Sequence, residues 1–362
     1  MKFSCLQENL NAGLDIVSGP LSGKSTLPVT KCILVETGRE KVMLTATDLV
    51  TTVVTTIDAD VREPGKIAIP GKLLCDFVNV LPNDRVNVEV VGAGTLKVTC
   101  TGFETKVRGV IGTDFPAVPI VPMENGTRVN MGKLRDAIKH VEFAVGNDLN
   151  RAAYTGINMR FDEMDIRLAG TDGSRLATYW IQGMAPVDTC DVTVPARSLN
   201  MLSRIISGDE TVVEVTIGKN QIAFRTESVE LVSQVIQASY PDYAKAIPGD
   251  QRILVEVQKT NLKRAVNASA LFSEGAVRFI INGDLHILGL SKETGENLCE
   301  VDAKVSGGEL KVALNAEFLI GAINAVKDEN ILIGFDEFDK PCVFRSGDGC
   351  FQYVIMPMIV QW

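Results

Sequence analysis

The sequence predicts an α+β chain of three tandem similar domains, each with two helices packed on antiparallel sheets. Three observations predict it. First, the stretches "IAIPGKLLCDFVNVLPNDRVNVEV" from Ile67, "VTVPARSLNMLSRIISGDETVVEV" from Val192 and "VALNAEFLIGAINAVKDENILIGF" from Val312 each read strand, helix, polar turn, strand. Their anchors Pro70, Pro195 and Asn315 lie about 120 residues apart, a domain-sized period. Second, six segments carry an apolar stripe at helical spacing. Third, alternating segments broken by Gly, Asn and Asp read as antiparallel hairpins.

The first helix of each domain is expected at residues 4–17 (Leu6, Leu10, Leu14, Val17), 132–146 (Leu134, Ala137, Ile138, Val141, Val145) and 259–272 (Leu262, Ala265, Val266, Ala270). The second is expected around Leu74, Phe77, Val78 and Leu81; around Leu199, Leu202 and Ile206; and around Leu319, Ala322, Ile323 and Val326. Hairpins pair "VNVEV" with "TLKVTC" and "VVEVTI" with "QIAFRT", and fold "KVMLTATDLVTTVVTTI" on itself. The endings "VRGVIGTDFP", "VSQVIQASYP" and "CFQYVIMP" align Pro116, Pro241 and Pro357, giving domains at 1–123, 124–251 and 252–362. The uncharged "YVIMPMIVQW" is then a final strand followed by a linker with no further domain to enter.

The 362 residues are 46% hydrophobic with a mean hydropathy of +0.15, ample for sizeable cores. No run reaches the ~18 apolar residues of a membrane span, and the N-terminus lacks a signal-peptide core, so a soluble, cytoplasmic protein with no membrane partner is expected. Eight cysteines without a CxxC pair fit reduced thiols better than a disulfide framework or a zinc site.

Enzyme signatures fail one by one. "GPLSGKST" lacks the first glycine of a phosphate loop, since position 18 is serine, and it follows a helix instead of opening one. A turn carrying Lys24 is the better reading; a nucleotide site is the enzyme alternative. His140 and His286 have no carboxylate at metal-ligand spacing. "TDGSRL" has no GxSxG elbow. The expectation is no catalytic residue, no metal and no cofactor.

A net charge of −9 argues against nucleic acid, unless charges are segregated. They are: the helical windows sum to a positive charge, with Lys24, Lys72, Lys133, Arg135, Lys139, Arg197, Arg204, Lys259, Lys263 and Arg264 as the cations. Such a surface supports sequence-blind phosphate contact, and equally an ordinary solvated helix face. A repeat scaffold that binds peptides without DNA remains a further reading of the same residues.

Together with "SGPLSGKSTLPV", "TDGSRLA", "YPDYAKAIP" and "YVIMPM", distributed over the whole chain, this organisation resembles the bacterial sliding clamp family, the beta subunit of DNA polymerase III. The resemblance implies the DNA clamp fold and a head-to-tail homodimeric ring, with helices lining a hole that encircles duplex DNA without sequence preference. It implies a non-catalytic processivity factor whose partners are the polymerase III alpha subunit, a clamp loader, and other polymerases and repair proteins. By similarity Lys24, Lys72, Asn147, Tyr154 and Arg197 face DNA, with Asp148 where the family carries glutamine. Ring closure would use Thr105 and Val107 on one edge and Leu271 and Phe272 on the other. A pocket for short apolar peptides would be walled by Tyr154, Thr171, Gly173, Arg175, Leu176, Pro241, Lys245, Ala246, Asn315, Val354, Met356 and Met358. Flexible methionines suit a site that repacks around different partners. Lys245 in place of a common arginine, Ala246 in place of valine, Ser174 in place of a frequent histidine, and the added Ile359, Val360, Gln361 and Trp362 bear on which peptide is preferred.

Overall fold

The computed structural model describes residues 1–22, 27–92, 94–111, 114–122, 126–184 and 189–362. They form two compact units, one of residues 1–133 and 197–235, the other of 134–196 and 236–362. These units cut across the three repeats, because each contains a nine-stranded sheet built from halves of two consecutive repeats. The break expected between 123 and 124 falls outside the described residues.

Six α-helices appear among the described residues: α1 (Gln7–Val17), α2 (Gly71–Asn79), α3 (Met131–Val141), α4 (Ala196–Ile205), α5 (Lys259–Leu271) and α6 (Ala316–Ala325). Residues 4–6, expected to be helical, instead end the strand Lys2–Leu6, which pairs with both Asp60–Glu63 and Arg85–Val91. Pairing with Arg85–Val91 through Leu6, and with Asp60–Glu63 as far as Ser4, outweighs a single helical turn, and Leu6 is left exposed at the helix entrance. Similarly α3 stops at Val141 and tightens into a 3-10 turn over Glu142–Ala144, leaving Val145 extended.

In the first unit, a five-stranded sheet ends on the edge strand Phe103–Arg108. In the nine-stranded sheet, Thr51–Asp58 of the first repeat pairs with Val229–Gln234 of the second, Val53 opposite Leu231. This seam is polar inside. Thr51 and Ser233, opposite each other, both reach the buried Ser198 hydroxyl of α4, at 2.7 and 2.9 Å.

The second unit repeats the plan. Arg175–Gln182 of the second repeat pairs with Phe351–Ile355 of the third, Ala177 opposite Tyr353, within a nine-stranded sheet. A four-stranded sheet ends on the edge strand Gly295–Val301. Here α3 and α5 lie so close to their sheets that the Val141 and Ser269 carbonyls leave no room for a Cβ at Gly170 and Gly289. This seam is aromatic: the His140 ring of α3 lies 4.6 Å from Tyr179 and 5.2 Å from Phe351, a cross-strand pair, with Phe143 and Phe344 around Tyr353.

All eight cysteines are free thiols, and burial pushes those of Cys5 and Cys75 up to about 11. Among the described residues, no helix is long and apolar enough to cross a membrane.

His140 carries a pH consequence. Burial lowers its pKa below the ordinary 6.5, although its Nδ1–H donates to the Asp136 carbonyl at 2.6 Å and the Asp136 carboxylate opposes the shift. The unfolded chain therefore takes up a proton before the folded one as pH falls, so stability present above the unfolded pKa is lost as pH drops through the folded pKa. Thermal midpoints measured from about pH 8 to about pH 5 should fall, and His140→Phe should flatten that part of the profile.

Candidate functional site

An apolar cavity of about 440 Å³ in the second unit opens beside the hairpin that joins Asp165–Thr171 to Arg175–Gln182. The turn is fixed by its own side chains. Asp172 Oδ1 accepts from the Ser174 and Arg175 amides at 2.9 and 3.1 Å, its Oδ2 accepts from Arg175 Nε at 2.9 Å, and the Gly173 amide donates to Thr171 Oγ1. Gly173 sits at φ +93°, and a Cβ there would also lie 2.6 Å from Arg151 Nη2. That arginine donates to the Asp172 carbonyl at 3.0 Å and covers the Tyr154 ring at 4.0 Å. Arg175 in turn lies over Phe318 of α6 at 4.3 Å.

The floor is the seam between repeats. Leu176 and Val354 are register partners, buried with Ala169 and Val343. Tyr240, Tyr243 and Ile247 pack against them, and the Tyr240 hydroxyl donates to the Ala169 carbonyl at 3.1 Å. Burial pushes the Tyr240 pKa well up, so the phenol stays a neutral donor. The rim carries charge. Lys245 pairs with Asp242 at 2.8 Å, which lowers the Asp242 carboxyl and raises Lys245.

Ten of the twelve residues expected in the pocket line this cavity: Tyr154, Thr171, Gly173, Arg175, Leu176, Pro241, Lys245, Ala246, Val354 and Met356. Two do not. Asn315 caps α6, its Oδ1 accepting from the Glu317 and Phe318 amides at 2.9 and 3.1 Å. Met358 lies beyond the wall, bridged to Ala313. Sequence reasoning missed Asp242, Tyr243 and Pro248, which lie within a motif it had singled out, and Asp336, Lys340 and Pro341, which come from a loop with no local signal.

Of the expected DNA contacts, Lys72, Asn147 and Arg197 are exposed and Tyr154 is half-buried. Lys72 is on α2, Arg197 opens α4 and stands 3.8 Å from Asp48, and Asn147 lies in a surface loop. Tyr154 is part of the cavity wall; Lys24 is outside the described residues. Lys133, Lys139, Arg204, Lys263 and Arg264 are also exposed helical cations. Of the edge residues, Leu271 is 78% exposed and Thr105 and Phe272 are half-buried, whereas Val107 is buried. Among the described residues, no cluster of His, Cys, Asp and Glu is arranged to hold a metal ion.

Comparison with known proteins gives one pattern. Family models of the DNA polymerase III beta subunit match end to end: the N-terminal domain over residues 1–119, the central domain over 128–242 and the C-terminal domain over 244–359. The beta sliding clamp of Synechococcus elongatus is 28% identical over 99% of both chains. The crystal structure of the Pseudomonas aeruginosa DNA polymerase III beta subunit matches with a TM-score of 0.95 at 26% identity, covering 99% of this chain and 100% of that one. A second Pseudomonas aeruginosa structure, bound to griselimycin, matches at 0.94 and 26% over the same shares. The Bacillus subtilis sliding clamp, 22% identical, shares the fold at 0.96, with both chains fully covered.

Reassigning Asn315 has a measurable consequence. Asn315→Ala removes a helix cap and should cost about 1 kcal/mol in denaturant unfolding, while leaving ligand binding at the cavity unchanged in calorimetry.

Proposed function

The chain belongs to the DNA polymerase III beta subunit family, the beta sliding clamps, and from that premise we propose how it closes on DNA and holds its partners. As a member of that family it is a non-catalytic processivity subunit.

One observation carries the reading. In each unit, consecutive repeats are joined by the same two strands: Thr51–Asp58 with Val229–Gln234, then Arg175–Gln182 with Phe351–Ile355. Continuing that repeat leaves one strand of each kind over. Phe103–Arg108 is the counterpart of Val229–Gln234 and Phe351–Ile355; Gly295–Val301 is the counterpart of Thr51–Asp58 and Arg175–Gln182. Both are sheet edges among the described residues. Unpaired edges invite a partner strand, and a second copy supplies each with its complement. Such a head-to-tail contact closes after two copies.

Carrying over the internal register, Ala177 opposite Tyr353, places Thr105 opposite Asn297 of the second copy and Lys106 opposite Glu296. The opposite charges match. On the helix side, Thr105 and Val107 meet Asn297, with Leu271 and Phe272 at the end of α5 completing the contact. Exchanging the charge with Lys106→Glu should weaken the dimer by about tenfold or more per interface. Adding Glu296→Lys should restore it, as read by sedimentation.

The closed dimer encircles duplex DNA. Topology holds it, so the helical cations, Lys72 and Arg197 among them, need only weak, sequence-blind phosphate contacts, and strong ones would impede sliding. The apolar cavity takes short, largely apolar peptides from the polymerase alpha subunit, the clamp loader and repair proteins. Griselimycin, bound to the Pseudomonas aeruginosa relative, is a ligand for the same cavity on this reading. Loaded onto a nicked circle, the protein should leave when the circle is cut to a linear form. Equal retention on both forms would sink the topological reading.

A further inference from the structure

The segment after the last strand is strapped down at three points. The Met356 amide donates to the Ser174 carbonyl at 3.0 Å, on the cavity hairpin. The Met358 amide donates to the Ala313 carbonyl at 2.8 Å, bridging to the strand Leu310–Asn315. Arg278, opposite Ala313 on the adjacent strand Ala276–Ile281, donates from Nη2 to the Gln361 carbonyl at 3.2 Å. Lys311 Nζ, two residues before Ala313 on the bridging strand, stands 5.8 Å from the Trp362 ring.

Arg278 is an expensive residue to keep there. It is only 8% exposed, and among the described residues its Nε and Nη1 have no hydrogen-bond partner. A buried guanidinium with idle donors is commonly no more stable than an apolar side chain of similar volume. Fold stability therefore gives a poor account of it, whereas its hydrogen bond to Gln361 grips the tail. Met356, a cavity-wall residue 46% exposed, stands at the Ser174 end of this segment, with the Met358 bridge between it and the Arg278 grip.

We propose that Arg278 is a positioning residue for peptide binding: by fixing Gln361 it tensions the tail across the sheet and presets Met356 against the cavity. The inference rests on reading the cavity as the peptide site. A preset wall binds more tightly, because the ordering of Met356 and its neighbours is completed before the ligand arrives.

The test uses Arg278→Met in the full chain, with griselimycin as the probe. A Trp180→Phe background leaves Trp362 as the single tryptophan, since the chain has two. The variant should keep or raise its thermal midpoint, shift Trp362 emission to the red, exchange amide hydrogen faster over residues 356–361, and bind griselimycin about tenfold more weakly. A lower midpoint with unchanged griselimycin affinity would make Arg278 merely structural and overturn the proposal. So would unchanged emission and exchange, which would show that Arg278 does not hold the tail. Failure of the parent protein to bind griselimycin at all would overturn the cavity reading, and this proposal with it.

Discussion

Every strand edge in this molecule has to be paired or guarded, and that constraint organises the rest. A β-strand with free N–H and C=O groups pairs with whatever complementary edge is available. The repeat contains one strand of each kind to spare, so consecutive repeats join by pairing them, and the pairing produces nine-stranded sheets that no single repeat could form. Compact units therefore straddle the repeats. The interior of the two seams is free to differ, and it does: hydroxyls of Thr51, Ser198 and Ser233 in one, aromatic rings and His140 in the other. Backbone hydrogen bonds set the connection, and side chains only fill it.

The helices follow from the sheets. Bare backbone at Gly170 and Gly289 lets α3 and α5 approach until their carbonyls touch the strands, which fixes one face of each helix firmly. The opposite faces are left to water, and on α3, α4 and α5 they carry the exposed lysines and arginines. An acidic chain can thus present basic helical surfaces without a net positive charge.

Much of this was legible in the sequence. The threefold repeat, the hairpins and the six helices follow from periodicity, because apolar spacing records which face is buried. The helix entrance at Gln7 was not, since Leu6 continues the i, i+4 pattern while its backbone is paired opposite Arg85, on a strand distant in sequence. Asn315 stands just before its helix as Pro70 and Pro195 stand before theirs, the counterparts that repeat alignment gives, and its short polar side chain also caps the helix, a local task that Pro70 does not perform and that alignment alone does not reveal. Lys340 and Pro341 reach the cavity only through tertiary structure, so neither spacing nor composition marks them.

Leu176 and Val354 belong at once to the cavity floor and to the seam that joins two repeats. Any compound seated on that floor presses on atoms that also hold the sheet together. Drug resistance by substitution there would have to open a hole in the seam or overfill it, and either change destabilises a packed core. Escape is left to the rim, at Lys245, Ala246 and Ser174, where side chains can vary without cost to the fold.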